Sequence, residues 1–166
     1  MPTGPCARIT DNVAHPLPPI LAGGPTAITV IVGFLPAWRG INPAAAAALQ
    51  AAKVVSETAI KVAEAATVAA AGTPGLPAAK AAEEATKAAA AASMGSMISS
   101  AAAGTDIHVC ATPLPIPPHG PGVVITPSMT VMMSNQPAAR MGDTILEAVG
   151  PPNTITKGEM TVIVGG

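Results

Sequence analysis

The chain has 166 residues, enough for one domain with an inserted subdomain, and its composition is unusual: 1% aromatic (Phe34 and Trp38, no Tyr), 10% charged, with 19 prolines beside 16 glycines. Any core must be built from Val, Ile, Leu, Met and Ala, which argues against an enzyme with an aromatic-lined pocket. A net charge of −1 with only eight Lys and Arg leaves no electrostatic footprint for nucleic acid or an anionic membrane, so neither is expected as a partner.

The first zone, residues 1–41, is Pro/Gly-rich with short β-branched runs. Its start, Met1-Pro2-Thr3-Gly4-Pro5-Cys6, lacks a basic segment followed by an apolar core, so no secretory signal is expected and synthesis is expected in the cytoplasm. Two cysteines, Cys6 and Cys110, are too few for a disulfide scaffold. The second zone, residues 42–103, is dominated by Ala with regularly placed Lys and Glu and reads as two helices. Asn42 is an N-cap with Pro43 at the first helical position, Gly72-Thr73-Pro74-Gly75 is a stop and turn, and Pro77 restarts a helix. Lys53, Glu57, Lys61 and Glu64 share one face of the first helix in ion-pairing range, as Lys80, Glu83, Glu84 and Lys87 do in the second. The opposite faces are mainly Ala, with Leu49, Ile60 and Val68 in the first and Met94, Met97 and Ile98 in the second, which suits a closely packed antiparallel hairpin. The uncharged run from Ala88 to Thr105 is mostly Ala, Ser and Gly, and that from Ile107 to Ala139 is broken by seven prolines, so no stable membrane span is expected.

The third zone, residues 104–166, repeats the first. Thr29-Val30-Ile31-Val32-Gly33, Thr130-Val131-Met132-Met133-Ser134 and Thr161-Val162-Ile163-Val164-Gly165 share one pattern, and Pro36-Ala37-Trp38-Arg39 and Pro137-Ala138-Ala139-Arg140 follow the first two in register. Ala7-Arg8-Ile9-Thr10-Asp11 parallels Ala139-Arg140-Met141-Gly142-Asp143, and the remaining pair is Arg39 and Asp106, pushed apart by the helices. These Arg and Asp residues read as turn-stabilising ion pairs rather than catalytic groups. The fold expected is mainly β: a small pseudo-threefold β unit formed by residues 1–41 and 104–166, interrupted at the second of three equivalent turns by an α-helical hairpin at 42–103. No P-loop, dinucleotide fingerprint or nucleophile elbow is present. With the last repeat ending at Gly166, no further catalytic domain is expected.

The three histidines, His15, His108 and His119, all lie in the Pro/Gly-rich zones. His108 and Cys110 are one residue apart, on the same side of an extended segment. Counting four residues past each repeat Asp gives His15, Cys110 and Glu147. Convergence of His15, His108, Cys110 and His119 would make a closed three-His, one-Cys tetrahedral set suited to structural Zn²⁺, with no open position for water or substrate. Cys6 and Glu147 are the rival ligands; Cys6 reads rather as a small buried residue and Glu147 as a solvated loop acid.

Pro137-Ala138-Ala139-Arg140 followed by Met141-Gly142-Asp143 resembles the signature of the PAAR-repeat family. Pro36-Ala37-Trp38-Arg39 is a variant of it, and Asp106-Ile107-His108-Val109-Cys110 with His119-Gly120-Pro121-Gly122 resembles that family's metal-loop segments. The resemblance spans residues 1–41 and 104–166. It implies a cone that caps the trimeric β-helical spike (VgrG-like) of a contractile injection machine, such as type VI secretion, an extracellular particle or a phage tail. It implies further an apex stapled by one structural metal per chain, zinc or iron, held by His15, His108, Cys110 and His119, and a non-enzymatic role at the machine's tip, carried outside or into a target cell on firing. Strand residues such as Val30, Val131 and Val162 are expected at the base, against the spike. The helical insertion is not part of the minimal cone. Two rival readings are a tip-linked effector or effector-loading adaptor acting through residues 42–103, and a zinc hydrolase with an open coordination position.

Overall fold

A computed structural model describes residues 3–14, 20–23, 27–103, 106–110 and 119–166, with only the backbone of residues 27, 28 and 110. The elements in chain order are β1 (Gly4–Cys6), β2 (Ala27–Val32), β3 (Leu35–Ala37), α1 (Pro43–Ala69), α2 (Leu76–Ala101), β4 (His108–Cys110), β5 (Gly120–Val124), β6 (Met132–Met133), β7 (Gln136–Pro137), β8 (Thr144–Glu147), β9 (Asn153–Thr154) and β10 (Glu159–Val164). Strands β4-β5-β8-β9 form one antiparallel sheet, and β2-β3, β6-β7 and β1-β10 form three two-stranded ribbons. The expectation of a mainly β chain is corrected to a mixed α and antiparallel β fold. The two helices, 27 and 26 residues long, hold more residues than all the described strands together, because the β repeats spend much of their length in turns.

Two ribbons close through two-residue turns, Gly33-Phe34 (φ +52° and +67°) and Ser134-Asn135 (φ +49° and +64°). Positive φ at both positions matches the twist of the flanking strands. The third ribbon has no such turn: it pairs strands from the two ends of the chain, Gly4 opposite Val164. Pro5-Cys6-Ala7-Arg8 is thereby the third copy of the Pro-x-x-Arg segment, of which sequence comparison recovers only Ala7-Arg8. The strand that precedes this copy in space follows it in the chain.

The three copies close a ring of backbone hydrogen bonds. Trp38 N–H donates to the Ala7 carbonyl (2.8 Å), Ala7 N–H to Ala139 (2.9 Å) and Ala139 N–H to Trp38 (3.0 Å). A second ring runs in the opposite sense, with Ile9 donating to Pro36 (3.0 Å), Gly40 to Pro137 (2.8 Å) and Met141 to Pro5 (2.8 Å). Each arginine then reaches the end of a neighbouring ribbon: Arg8 donates to the Gly33 carbonyl, Arg39 to Ser134 and Arg140 to Gly166. Each also pairs with its aspartate, Arg8 with Asp11 (3.1 Å), Arg39 with Asp106 (2.5 Å) and Arg140 with Asp143 (3.1 Å), so the structural reading of these residues stands on direct contacts. Around the ring Trp38, Leu21, Val124, Ile145 and Ile155 are fully buried. Below it, Cys6, Val32, Ala37, Ala138 and Val164 form a second cluster, with Val30, Val131 and Val162 packed against it.

The helices start as their sequence predicts: the Asn42 side chain accepts from Ala45 N–H (2.9 Å), Pro43 opens α1, and Gly72 (φ +76°) lies in the connecting turn. Burial is concentrated where the hairpin leaves the sheet. There Leu49, Met94 and Ile98 pack with Ile41, Val123 and Leu146, and Gly95 lets α2 approach Pro121. Farther out, Ile60 is half-buried and Val68 is exposed, so the apolar stripe is used mainly at its base. Lys87 ties the arms together through Glu64 of α1 (2.8 Å) and pairs with Glu83 of its own helix (2.5 Å).

The insertion separates one Arg–Asp pair from its local backbone bond. Asp11 and Asp143 each accept from the backbone N–H of the arginine three residues earlier as well as from its side chain. Asp106 is 67 positions from Arg39. It has no such local bond, and its Oδ1 has no hydrogen-bond partner among the described residues. Burial pushes its carboxyl up to about 6, against the opposing pull of Arg39. A carboxyl raised in the folded state binds more protons there than in the unfolded chain, so stability falls as pH rises through the window from 3.8 to about 6. Relative to Asp106→Asn, the wild type is expected to lose on the order of 2–3 kcal/mol of unfolding free energy between pH 4 and 6.5, measured by urea denaturation across pH.

Candidate metal centre

The sheet register brings the candidate side chains together. His108 on β4 and Glu147 on β8 both pair with Gly122 on the strand between them, so the three share one face of the sheet. A Cβ on Gly122 would lie 2.9 Å from Glu147 Cγ. Its absence leaves room for the carboxylate to lean across the central strand, and His108 Nε2 stands 3.6 Å from Glu147 Oε1. His119 immediately precedes β5 and places Nδ1 2.6 Å from Glu147 Oε2. From β9, Asn153 Nδ2 donates to Oε1 (2.8 Å). Gly150, at φ +88°, closes over the His119 ring, where a Cβ would come within 2.9 Å of it.

This overturns the reading of Glu147 as a solvated loop acid. It is fully buried on a strand, between two imidazoles. The ion-pair spacing of Lys53 predicts a partner along its own helix, and the structure adds a second set of partners. Lys53 is buried at the root of α1, where Nζ donates to the backbone carbonyls of Glu147 (3.0 Å) and Ala148 (3.1 Å) and stands 3.7 Å from Glu57. Desolvation pulls its pKa below the ordinary lysine value, with Glu57 and Glu147 acting in the opposite direction. The root of the inserted hairpin thus meets the strand that carries the buried carboxylate.

Of the four residues singled out as ligands, His108 and His119 converge on one carboxylate. The backbone of Cys110 pairs with Gly120, next to His119, and its side chain lies outside the described residues, as does His15 with the proline-rich segment 111–118. Among the described residues no group of three or more His, Cys, Asp or Glu side chains is arranged to hold a metal ion. The donor chemistry fits such a group nonetheless: two buried or nearly buried imidazoles, one anchored by a carboxylate, lie on the hairpin that also carries Cys110. Cys6, the rival thiol, belongs elsewhere. It is fully buried in the lower apolar cluster, where burial pushes its thiol up to about 11, a protonated form unsuited to metal binding. Sequence reasoning missed Lys53 and Asn153 as partners of the centre. It did carry a signal for Glu147, which stands four residues past its repeat Asp, the position His15 and Cys110 hold in the other copies.

His119 also borders a cleft of about 460 Å³ between the hairpin and the loop carrying Gly150, lined in part by Ile60, Lys61, Glu64 and Lys87. No helix of the described residues is long and apolar enough to cross a membrane. Comparison with protein-family models, curated proteins and solved structures finds no match to this chain.

Lys53→Met keeps the stem and removes the ammonium, leaving two buried carbonyls without their donor. The expected cost is about 1.5–3 kcal/mol of stability by urea denaturation, because hydrogen bonds from a charged group are among the stronger ones. A neutral result would mean that the contact contributes nothing net.

Proposed function

We propose that this protein is a PAAR-like spike tip: a pseudo-threefold cone that caps a trimeric β-helical spike of a contractile injection machine, its apex stapled by a structural metal, with no catalytic role. The observation that carries the reading is the closed ring of backbone hydrogen bonds through Ala7, Trp38 and Ala139. One chain that repeats an element three times around a ring offers three similar contacts to three identical subunits. The repeat that builds the ring also presents Ile31, Met132 and Ile163 outward at equivalent positions, 57%, 56% and 60% exposed. Val30, Val131 and Val162 at the neighbouring positions are half-buried, so in this reading they support the base and the alternate residues of the same strands make the contact.

In this reading the metal, most simply Zn²⁺, is held by His15, His108, Cys110 and His119. It ties together loops distant in sequence in a unit with little aromatic core, which is where a small scaffold gains most from a staple. The hairpin has a second role, as a docking arm for an effector or adaptor. Its exposed Val54, Val55, Val62 and Val68 favour a partner surface over a purely solvated spacer.

Phe34 gives the reading a discriminating test. It is 98% exposed and sits at positive φ in a two-residue turn, a conformation better suited to Asn. Phe34→Asn is expected to leave thermal stability equal or higher while weakening capture of a trimeric spike from the same genome, and Ile31→Asp with Met132→Asp is expected to abolish it, both read by biolayer interferometry. Wild type that binds none of that genome's trimeric spikes would overturn the proposal.

A further inference from the structure

We propose that Glu147 is the outer-sphere carboxylate of the metal centre. It is a positioning residue that fixes His119 with Nδ1 protonated and keeps Nε2 as the nitrogen offered to the metal. This rests on the metal-stapled reading above and adds to it a part for the third repeat, which supplies no His or Cys at the corresponding position.

Both oxygens of Glu147 are already engaged. Oε2 is 2.6 Å from His119 Nδ1, and Oε1 accepts from Asn153 Nδ2 at 2.8 Å while facing His108 Nε2 at 3.6 Å. A carboxylate cannot donate, so the short contact to Nδ1 requires that nitrogen to carry the proton. The lone pair available for a metal is then on Nε2, and the carboxylate makes that nitrogen more basic. The carboxylate is itself held from two directions. Asn153 fixes its head, and Lys53 of the inserted hairpin fixes the backbone carbonyls of residues 147 and 148. No side chain stands on Gly122 to block its approach to the histidines, and a Cβ at Gly150 would come within 2.9 Å of His119 Nε2. Glu147 is fully buried, so its hydrogen bonds are made away from bulk water. These features together describe a preorganised support for a ligand rather than an incidental acid.

The test is zinc affinity, by competition with a chromophoric chelator, together with the visible spectrum of the cobalt(II) form, on full-length wild type, Glu147→Gln and Asn153→Ala. Glu147→Gln preserves volume but cannot supply the charge. It is expected to bind one metal per chain with affinity lowered about 10- to 100-fold and with the cobalt bands in their wild-type positions, because the ligand set is unchanged. Asn153→Ala, which leaves the carboxylate in place and loosens it, is expected to fall between the two and guards against a Glu147→Gln that fails to fold. Affinity unchanged in both variants would overturn the proposal in favour of a purely structural acid. A shifted cobalt spectrum or lost stoichiometry in Glu147→Gln would overturn it in favour of direct ligation. A wild type that binds no zinc would remove the metal-centre reading itself, and is distinguished by failing before any variant is compared.

Discussion

Three backbone hydrogen bonds among Ala7, Trp38 and Ala139 set the geometry on which the β part of the molecule depends. For three strands to exchange N–H and C=O groups around one axis, the side chains at the axis must be small or one large group must serve all three. The chain does both, with Ala at two positions and the fully buried indole of Trp38 at the third. The neighbouring arginines follow from the same constraint. Once the copies are locked in cyclic order, each guanidinium lies beside the end of another copy's ribbon and its own aspartate, so burial of three arginines is matched by carboxylates and carbonyls rather than left uncompensated.

The helical insertion perturbs this scheme at one point and reinforces it at another. By separating Arg39 from Asp106 it removes the local backbone bond that Asp11 and Asp143 keep, while burial raises the carboxyl pKa of Asp106 and of Asp143 alike. At its root, however, α1 delivers Lys53 to the strand bearing Glu147, and α2 packs Met94 and Ile98 on the same sheet. The hairpin is therefore joined to the candidate centre by both polar and apolar contacts. In the proposed function, a load on the docking arm would be carried into the part of the cone that the metal ties together.

Much of this organisation was legible in the sequence. The helix limits followed from Asn42, Pro43 and Gly72, and the Arg–Asp pairing followed from its repetition, even across the insertion. The third Pro-x-x-Arg copy was hidden because Pro5-Cys6-Ala7-Arg8 and its strand partner lie at opposite ends of the chain, and a linear register cannot join them. The antiparallel strands and the inserted helices were expected, but the share of β was overestimated because repeated β motifs draw attention out of proportion to their length. Glu147 was read as solvated because acidic residues usually are, and Lys53 was read only as an ion-pairing residue of its own helix. Their burial depends on Gly122 and on the docking of α1 against β8, neither of which local pattern specifies. His108 and His119 were singled out together with His15 and Cys110, and Glu147 as a rival ligand, whereas the place of Glu147 between the two imidazoles became visible only through sheet register.

The central claim is that loops far apart in the sequence are held by one structural metal at the tip of a threefold unit. Metal content per chain, measured by mass spectrometry on untagged wild type, His108→Ala and Cys110→Ala, tests it most directly. The account predicts about one zinc per wild-type chain and loss in both variants. A folded wild type free of metal would contradict it.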